Sequence, residues 1–429
     1  ASRSPELRPM HVTVLGAGLA GVTTAWYLAR AGHEVSVLER RGAAGLETSF
    51  ANGGQISISH PEPWANPGAP LQILRWLGRV DAPLLFRPTA DWEQWRWALA
   101  FLGQCRPARA RANTAAIASL AAYSRDCLVA LRDELHLDYD HQSGGILHLF
   151  FTKKDWIHVQ PKVELLAHHG IPARLLVPAE ALAVEPALAP MAEKLVGALH
   201  GLADESGDAH RFTQALAERC AAVGVRFDYH TTVEAVDHRH GRAYGLVIKD
   251  AAGRTGLHSA DAFVLCAGPY SPRLTEGWGE HLSVYPVKGY SVTVPVADPI
   301  RAPHLSLTDE SRRIVCSRLG GRLRVAGTAE LSGYGLDPNP ARSGAVLRWL
   351  EERLPGAGDT ARAEHWCGLR PATPGNLPII GASQLANVYL NTGHGTLGWT
   401  LACGSAAALA DLMAGHKPAP DFPFRLSTG

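Results

Sequence analysis

HVTVLGAGLAGVTTAWYLARAGHEVSVLE, residues 11–39, reads as a strand, a tight glycine turn, a helix, a second strand and a closing acid. Gly16, Gly18 and Gly21 supply the G-x-G-x-x-G spacing of a dinucleotide-binding βαβ unit. The first glycine permits the sharp turn, the second lets backbone approach a pyrophosphate, and the third lets helix and strand pack closely. The unpaired N–H groups at the start of the helix face that pyrophosphate. Glu39 stands where a carboxylate accepts hydrogen bonds from ribose hydroxyls. Four features in the right order make a chance glycine turn a poor explanation.

The unit begins directly after Met10, which reads as the native start. Residues 1–9 carry no apolar pattern and read as a vector-derived remnant or a disordered lead, outside the fold. The apolar run after Met10 ends in Gly16 and has neither a basic flank nor a cleavage site, so it is a strand and not a signal sequence.

The 429 residues allow two modules with sizeable cores. The hydrophobic share of 46% against 19% charged suits a globular enzyme. A formal net charge of +1 provides no global field for nucleic acid. No uninterrupted apolar run reaches the length of about 18 residues expected of a spanning helix. Seven cysteines, an odd number without any CxxC, argue against a zinc site and a disulfide framework. They fit a reducing compartment, so a cytoplasmic protein is expected. His168–His169 and His238, His240 lack ligand partners at metal spacing, and no metal is expected.

The fold class expected is α/β: a discontinuous Rossmann-like nucleotide-binding domain with a second α+β substrate domain on an antiparallel sheet. Residues 10–60, 191–283 and 365–416 are assigned to the first, and 61–190 and 284–364 to the second. Within 207–236 a helix is expected with Asp208 as N-cap and Gly224 as its stop. Residues 262–267 are apolar throughout, as a buried parallel strand should be. Residues 284–330 alternate with period two, the mark of antiparallel strands. A helix is expected from about 113 to 135.

Five segments together resemble a known family: ETSFANGGQ (47–55), AYSRDC (122–127), YPVKGYS (285–291), WCGLRPATP (366–374) and NTGHGTLGWTLACGS (391–405). They are similar to the FAD-dependent D-amino acid dehydrogenase small-subunit family, within the D-amino-acid-oxidase-like, glutathione-reductase-type flavoproteins. The resemblance runs from Met10 to about residue 415. It departs at PGNLP (374–378), where that family usually has PDGTP, and at Cys367, where it usually has Thr.

The resemblance implies FAD, and three remote glycine turns converging on one long cofactor agree with it. The expected cofactor contacts are Gly16, Gly18, Leu19, Ala20, Gly21, Glu39 and Arg40 in the first unit, and Ser49, Asn52, Gly53, Gly54 and Gln55 in the second. Val233, Ala267, Gly268, Gly393, Gly395, Thr396, Leu397 and Gly398 complete the set. Non-covalent attachment is expected, because a thiol link through Cys367 needs an electropositive site. The helix start after Gly395 would stabilise negative charge on a reduced flavin.

Arg370 is the candidate carboxylate clamp, because a guanidinium fork grips a carboxylate by two parallel bonds; the resemblance implies the same. His394 is a candidate donor, and Tyr290 or Tyr270 a candidate source of a substrate hydroxyl, although tyrosines are more often core residues. The expected reaction oxidises D-amino acids to 2-oxo acids and ammonia, the α-carbon hydride passing to flavin N5. The D preference rests on the resemblance alone. A glycine, sarcosine or proline-derivative oxidase using O2 stays open, as does a non-catalytic flavoprotein subunit. The resemblance also implies a quinone or respiratory-chain acceptor and contact with the inner face of the cell membrane. Residues 71–112, with Trp76, Trp92, Trp95 and Trp97 and then Arg106, Arg109 and Arg111, read either as an interfacial segment or, preferably, as a cap over the substrate pocket.

Overall fold

The computed structural model describes residues 9–76 and 82–426; of the assigned lead, residues 1–9, all but Pro9 lie outside them. A six-stranded sheet runs in the order Ile379–Ala382, Val388–Thr392, Ala262–Leu265, His11–Leu15, Glu34–Leu38, Arg226–Asp228. All its pairings are parallel except that of Ile379–Ala382 with Val388–Thr392. The continuous apolar runs HVTVL and AFVL occupy its centre, since strands covered on both faces need no polar alternation.

The helix Leu19–Arg30 covers one face, burying Val22, Ala25, Trp26 and Leu28. It sits close because Gly21 has no side chain: a Cβ there would lie 1.8 Å from the Gly16 carbonyl oxygen. Asp208 caps Ala209–Ala222 by accepting from the N–H groups of His210 and Arg211, and Gly224 follows at φ +98°.

A second, nine-stranded sheet lies over the carboxyl ends of the first. Its main path runs Glu364–Ala372, Tyr285–Pro295, Arg322–Leu331, Ile314–Leu319, Ser306–Asp309, Ile146–Phe150, Gly197–Gly201, Ala173–Leu176. Leu84–Phe86 pairs beside Arg322–Leu331. Most of it is antiparallel, but Ser306–Asp309 joins Ile146–Phe150 in parallel. The period-two reading of 284–330 finds its strands, yet Tyr285–Val294 is buried on both faces.

The sheets cut across the expected segments. Gly197–Gly201 and, from its second residue on, Glu364–Ala372, assigned to the nucleotide domain, are strands of the second sheet. Conversely, the helix Pro107–Leu135, assigned to the substrate domain, packs in the nucleotide-domain core through Ala118, Leu120, Leu128 and Leu131. Its mate is the C-terminal helix Gly398–Met413. A Cβ at Gly404 would lie 2.6 Å from Ser124 Cβ, and the Ser124 hydroxyl accepts from the Gly404 N–H at 2.9 Å. Two of the resemblance-bearing segments, AYSRDC and NTGHGTLGWTLACGS, thus meet at one close helix crossing.

By length and composition alone, Pro107–Leu135 is apolar enough to cross a membrane, contrary to the expectation from apolar runs. Its mean hydropathy comes from alanines, and its larger apolar side chains Ile117, Leu120, Leu128 and Leu131 are buried in the protein.

Candidate active site

One cavity of about 1340 Å³ lies between the two sheets. That exceeds the roughly 300–1,000 Å³ typical of small-ligand pockets and has room for a long cofactor together with a substrate. It gathers all but two of the expected contacts: Gly16, Gly18, Leu19, Ala20, Glu39, Arg40, Ser49, Asn52, Gly53, Gly54, Gln55, Val233, Ala267, Gly268, Thr396, Leu397 and Gly398 line it, as do Gly395, His394, Arg370, Tyr290 and Tyr270. Gly21 and Gly393 stand behind the wall. Gly21 seats the first helix, and Gly393, at φ +79°, turns the chain where a Cβ would meet Thr373 Cγ2 at 2.8 Å.

The nucleotide end fits a dinucleotide. The first helix starts at Gly18 with no side-chain cap and no acid in its first turn, so that end favours an anion. A Cβ at Gly16 would lie 2.9 Å from the Cys266 carbonyl oxygen. Glu39 is buried at the end of its strand. Its two oxygens accept from the N–H groups of Ala17 and Arg41, both at 2.8 Å, which binds the acid to the glycine turn. Burial raises its carboxyl above the usual range. Tyr270 sits at this end: Arg40 lies 3.9 Å over its ring, while also pairing with Glu47.

The second glycine cluster is held from both sides. The Ser317 hydroxyl donates to the Gly53 carbonyl at 2.7 Å and the Ser291 hydroxyl to that of Ala51 at 2.8 Å. Three buried polar atoms on residues of the cavity wall, Ser57 Oγ, Thr328 Oγ1 and Asn391 Oδ1, have no hydrogen-bond partner among the described residues. A bound cofactor or substrate is the natural complement of such atoms.

Arg370 lies on the strand Glu364–Ala372, beside the aromatic side chains of Trp64, Trp97 and Phe101. Gly289 on the neighbouring strand makes space for it: a Cβ there would lie 2.2 Å from Arg370 Cζ. One guanidinium nitrogen donates to the Thr328 carbonyl at 3.0 Å. No carboxylate among the described residues pairs with it. Burial, and then the like charge of Arg342, pull it down to about 10. A guanidinium is still fully charged at neutral pH, so this is a cation on a cavity wall in need of an anion.

Thr328, missed by sequence reasoning, completes this end. It holds φ +57°, a strained conformation for a β-branched residue, with its unpartnered hydroxyl in the cavity wall. Nothing in its local sequence, VAGTAEL, signals that strain.

His394 starts the turn Gly395–Leu397 that leads into Gly398–Met413, and no side chain caps either element. Its Nε2 lies 3.0 Å from the Ser405 hydroxyl. Burial lowers the imidazole to about 4, so it is neutral at pH 7. The unfolded chain takes up this proton near pH 6.5 and the folded one only near 4. The ring's contribution is therefore fully present above pH 6.5 and is lost as pH falls towards 4. The lost stability amounts to about 3 kcal/mol. Denaturant melts of wild type and His394→Gln across pH 7 to 4 are expected to converge by that order; parallel pH profiles would contradict it.

Tyr290 lines the cavity and packs in the substrate-domain core, and its hydroxyl donates to Glu330 at 2.7 Å. Cys367 neither lines the cavity nor is a thiolate. Its Sγ donates to the Leu336 carbonyl at 3.1 Å, and burial pushes the thiol up. The divergent turn PGNLP backs the His394 turn: Asn376, at φ +60°, accepts from the Trp64 N–H at 3.1 Å.

Comparison with known proteins agrees with this geometry. Residues 11–412 match the family described as DAO, FAD dependent oxidoreductase. The chain is 50% identical to the D-amino acid dehydrogenase of Dechloromonas aromatica (strain RCB) over 97% of its own length and 99% of the relative's. It is 46% identical to that of Agrobacterium fabrum, over 96% and 97%. Among solved structures, glycine oxidase from Geobacillus kaustophilus superposes with a TM-score of 0.75 at 23% identity, covering 99% of this chain and 100% of the other. L-proline dehydrogenase from P. horikoshii gives 0.73 at 17%, covering 96% of each. At such identities the structural likeness speaks to the fold alone. From its glycine cradle to its uncapped C-terminal helix, the chain belongs to the DAO family of FAD-dependent oxidoreductases.

Proposed function

We propose that this flavoenzyme oxidatively deaminates D-amino acids to 2-oxo acids and ammonia, and passes the electrons to a quinone or another acceptor that is not oxygen. The observation that carries the reading is Arg370, a cavity-wall cation that no carboxylate of the described residues pairs with. An amino acid carboxylate supplies the missing anion in the bidentate geometry a guanidinium favours. The D preference and the dehydrogenase character are supported by relatives up to 50% identical.

FAD, when bound, supplies the acceptor for the α-carbon hydride. The protein's residues do the rest. Arg370 fixes the carboxylate and with it the α-carbon, and the Thr328 hydroxyl is free to donate beside it. Trp64, Trp97 and Phe101 keep water away from the clamp, which strengthens its charge interactions. The uncapped start at Gly395–Gly398 favours negative charge on the part of the cofactor nearest to it. His394 stays neutral and adds no charge there.

Transfer to a membrane quinone at the cytoplasmic face is supported by the cap helices Ala69–Trp76 and Trp92–Gln104. Their inner sides line the cavity, while Leu71, Trp92 and Leu99 are exposed away from it. Arg75 and Arg96 are exposed on these helices and Arg106 and Arg109 just after the second, a composition suited to an anionic lipid surface. The seven cysteines are all free, as in reducing compartments.

Anaerobic mixing with matched D- and L-amino acids tests the assignment. Bleaching of the flavin by D-isomers, with turnover on a quinone or dye and little peroxide in air, is expected. Faster bleaching by L-isomers, or oxygen as the better acceptor, would overturn it.

A further inference from the structure

Away from Arg370, the second sheet carries a cluster to which neither the glycine motifs nor the clamp assigns a role. His148 lies on Ile146–Phe150, Glu310 follows Ser306–Asp309, and His60 lies beyond the second glycine cluster. All three line the large cavity. Four to five strand spacings, roughly 20 Å along the sheet, separate them from Arg370. We infer that His60, His148 and Glu310 form a binding site for a divalent first-row transition ion of the Zn²⁺ class.

Glu310 Oε1 is 3.0 Å from His148 Nδ1 and 3.2 Å from His60 Nε2, and all the ligand atoms lie within 4.8 Å of one another. Bonds of about 2.0–2.1 Å to a tetrahedral ion place neighbouring ligand atoms about 3.3 Å apart. The cluster therefore needs only small adjustments to close on an ion that replaces the imidazole protons. Two imidazoles and one carboxylate are the donor set such ions prefer.

The surroundings hold these groups as an outer ligand shell does. His148 Nε2 lies 3.2 Å from the Ser59 hydroxyl and 3.8 Å from Asp204 Oδ2, and Ser59 itself hydrogen-bonds Asp204. A carboxylate on the second imidazole nitrogen is the usual support of a metal-bound histidine. His60 Nδ1 has Glu62 Oε2 at 3.9 Å. Arg313 takes the other Glu310 oxygen at 2.6 Å, which leaves Oε1 for the ion. Lys162 pairs with Glu62 at 2.9 Å. Against these two cations stand three carboxylates, Glu62, Asp204 and Glu310, so the locale keeps a negative balance. Because the cluster lies on the cavity wall, the remaining coordination position is open to water or a small anion.

Calorimetric titration of chelator-treated holoenzyme with Zn²⁺ tests the site. One ion per chain is expected, with binding about 10- to 100-fold weaker in the positioning variant Asp204→Asn and weaker still in the ligand variants Glu310→Gln and His60→Gln. Zinc-edge X-ray absorption should show two imidazole ligands in wild type and one in His60→Gln. The flavin spectrum reports that each variant is folded, and His60, on the cavity wall, is the substitution least disruptive to the core. Equal binding by wild type and Glu310→Gln, or loss of binding in His168→Ala/His169→Ala instead, would overturn the assignment.

Discussion

Arg370→Leu is expected to lower kcat/KM for D-amino acids roughly 100- to 1,000-fold, with FAD retained. Two charge-assisted bonds are lost, each worth about 1.5–3 kcal/mol, and part of that loss is offset by a wider pocket. Both constants should suffer, because the clamp orients the α-carbon as well as holding the substrate. The diagnostic comparison is between amino acids and the matching amines without a carboxylate. Wild type should discriminate strongly and the variant hardly at all. Arg370→Lys should recover only part of the loss, since an ammonium cannot reproduce the planar fork. The position is safe to probe: Arg370 pairs with no carboxylate among the described residues, so its removal strands no buried partner charge there. Wild-type turnover in Arg370→Leu would refute the clamp.

The second large effect is expected at Gly21, which does not line the cavity. Gly21→Ala places a Cβ 1.8 Å from the Gly16 carbonyl oxygen and 2.9 Å from its carbon, both rigid backbone. The turn must open, and FAD affinity should fall at least about 100-fold, giving a colourless protein. Gly18→Ala separates the causes. There the nearest atom to an added Cβ is Ser49 Oγ at 3.8 Å and the backbone is ordinary, so the apoprotein should keep its circular dichroism and melting point. Any loss of FAD affinity in Gly18→Ala then reports contact with the cofactor itself. Wild-type FAD affinity in Gly21→Ala would mean that the turn is not under the tension the structure gives it.

The nucleotide end was legible because its chemistry is local. Spacing within 30 residues specifies turn, helix and acid, and the structure closes Glu39 onto the N–H of Ala17 as that spacing implies. Arg370 was legible as a motif, but its lack of a counter-charge was not, since that depends on residues from several strands. Tyr290 shows the converse. A tyrosine beside a conspicuous glycine motif looks available, yet Glu330 from the next strand takes its hydroxyl. The sheet membership of some segments was hidden for a related reason. Gly197–Gly201 is short and apolar, and only pairing with Ile146–Phe150 decides which sheet claims it. His60, His148 and Glu310 come from three remote segments, so no spacing rule could unite them.

The cofactor cradle is written at both ends of the chain. The hydroxyl of Thr23, in the first helix, donates to the Ala402 carbonyl, and Asn391 reaches back to Thr24. Val388–Thr392 enters the first sheet beside Ala262–Leu265. Synthesis proceeds from the N-terminus at about 5–20 residues per second, so the glycine turn at residue 16 leaves the ribosome many seconds before its partner at 395. For that interval the nascent chain holds half a cradle, and the exposed apolar faces of its first helix and sheet are open to premature association. Loading with FAD is thereby set as a late event, coupled to closure of the longest loop in the fold. Cofactor supply in the cell should thus act on the yield of mature enzyme more than on its rate of synthesis.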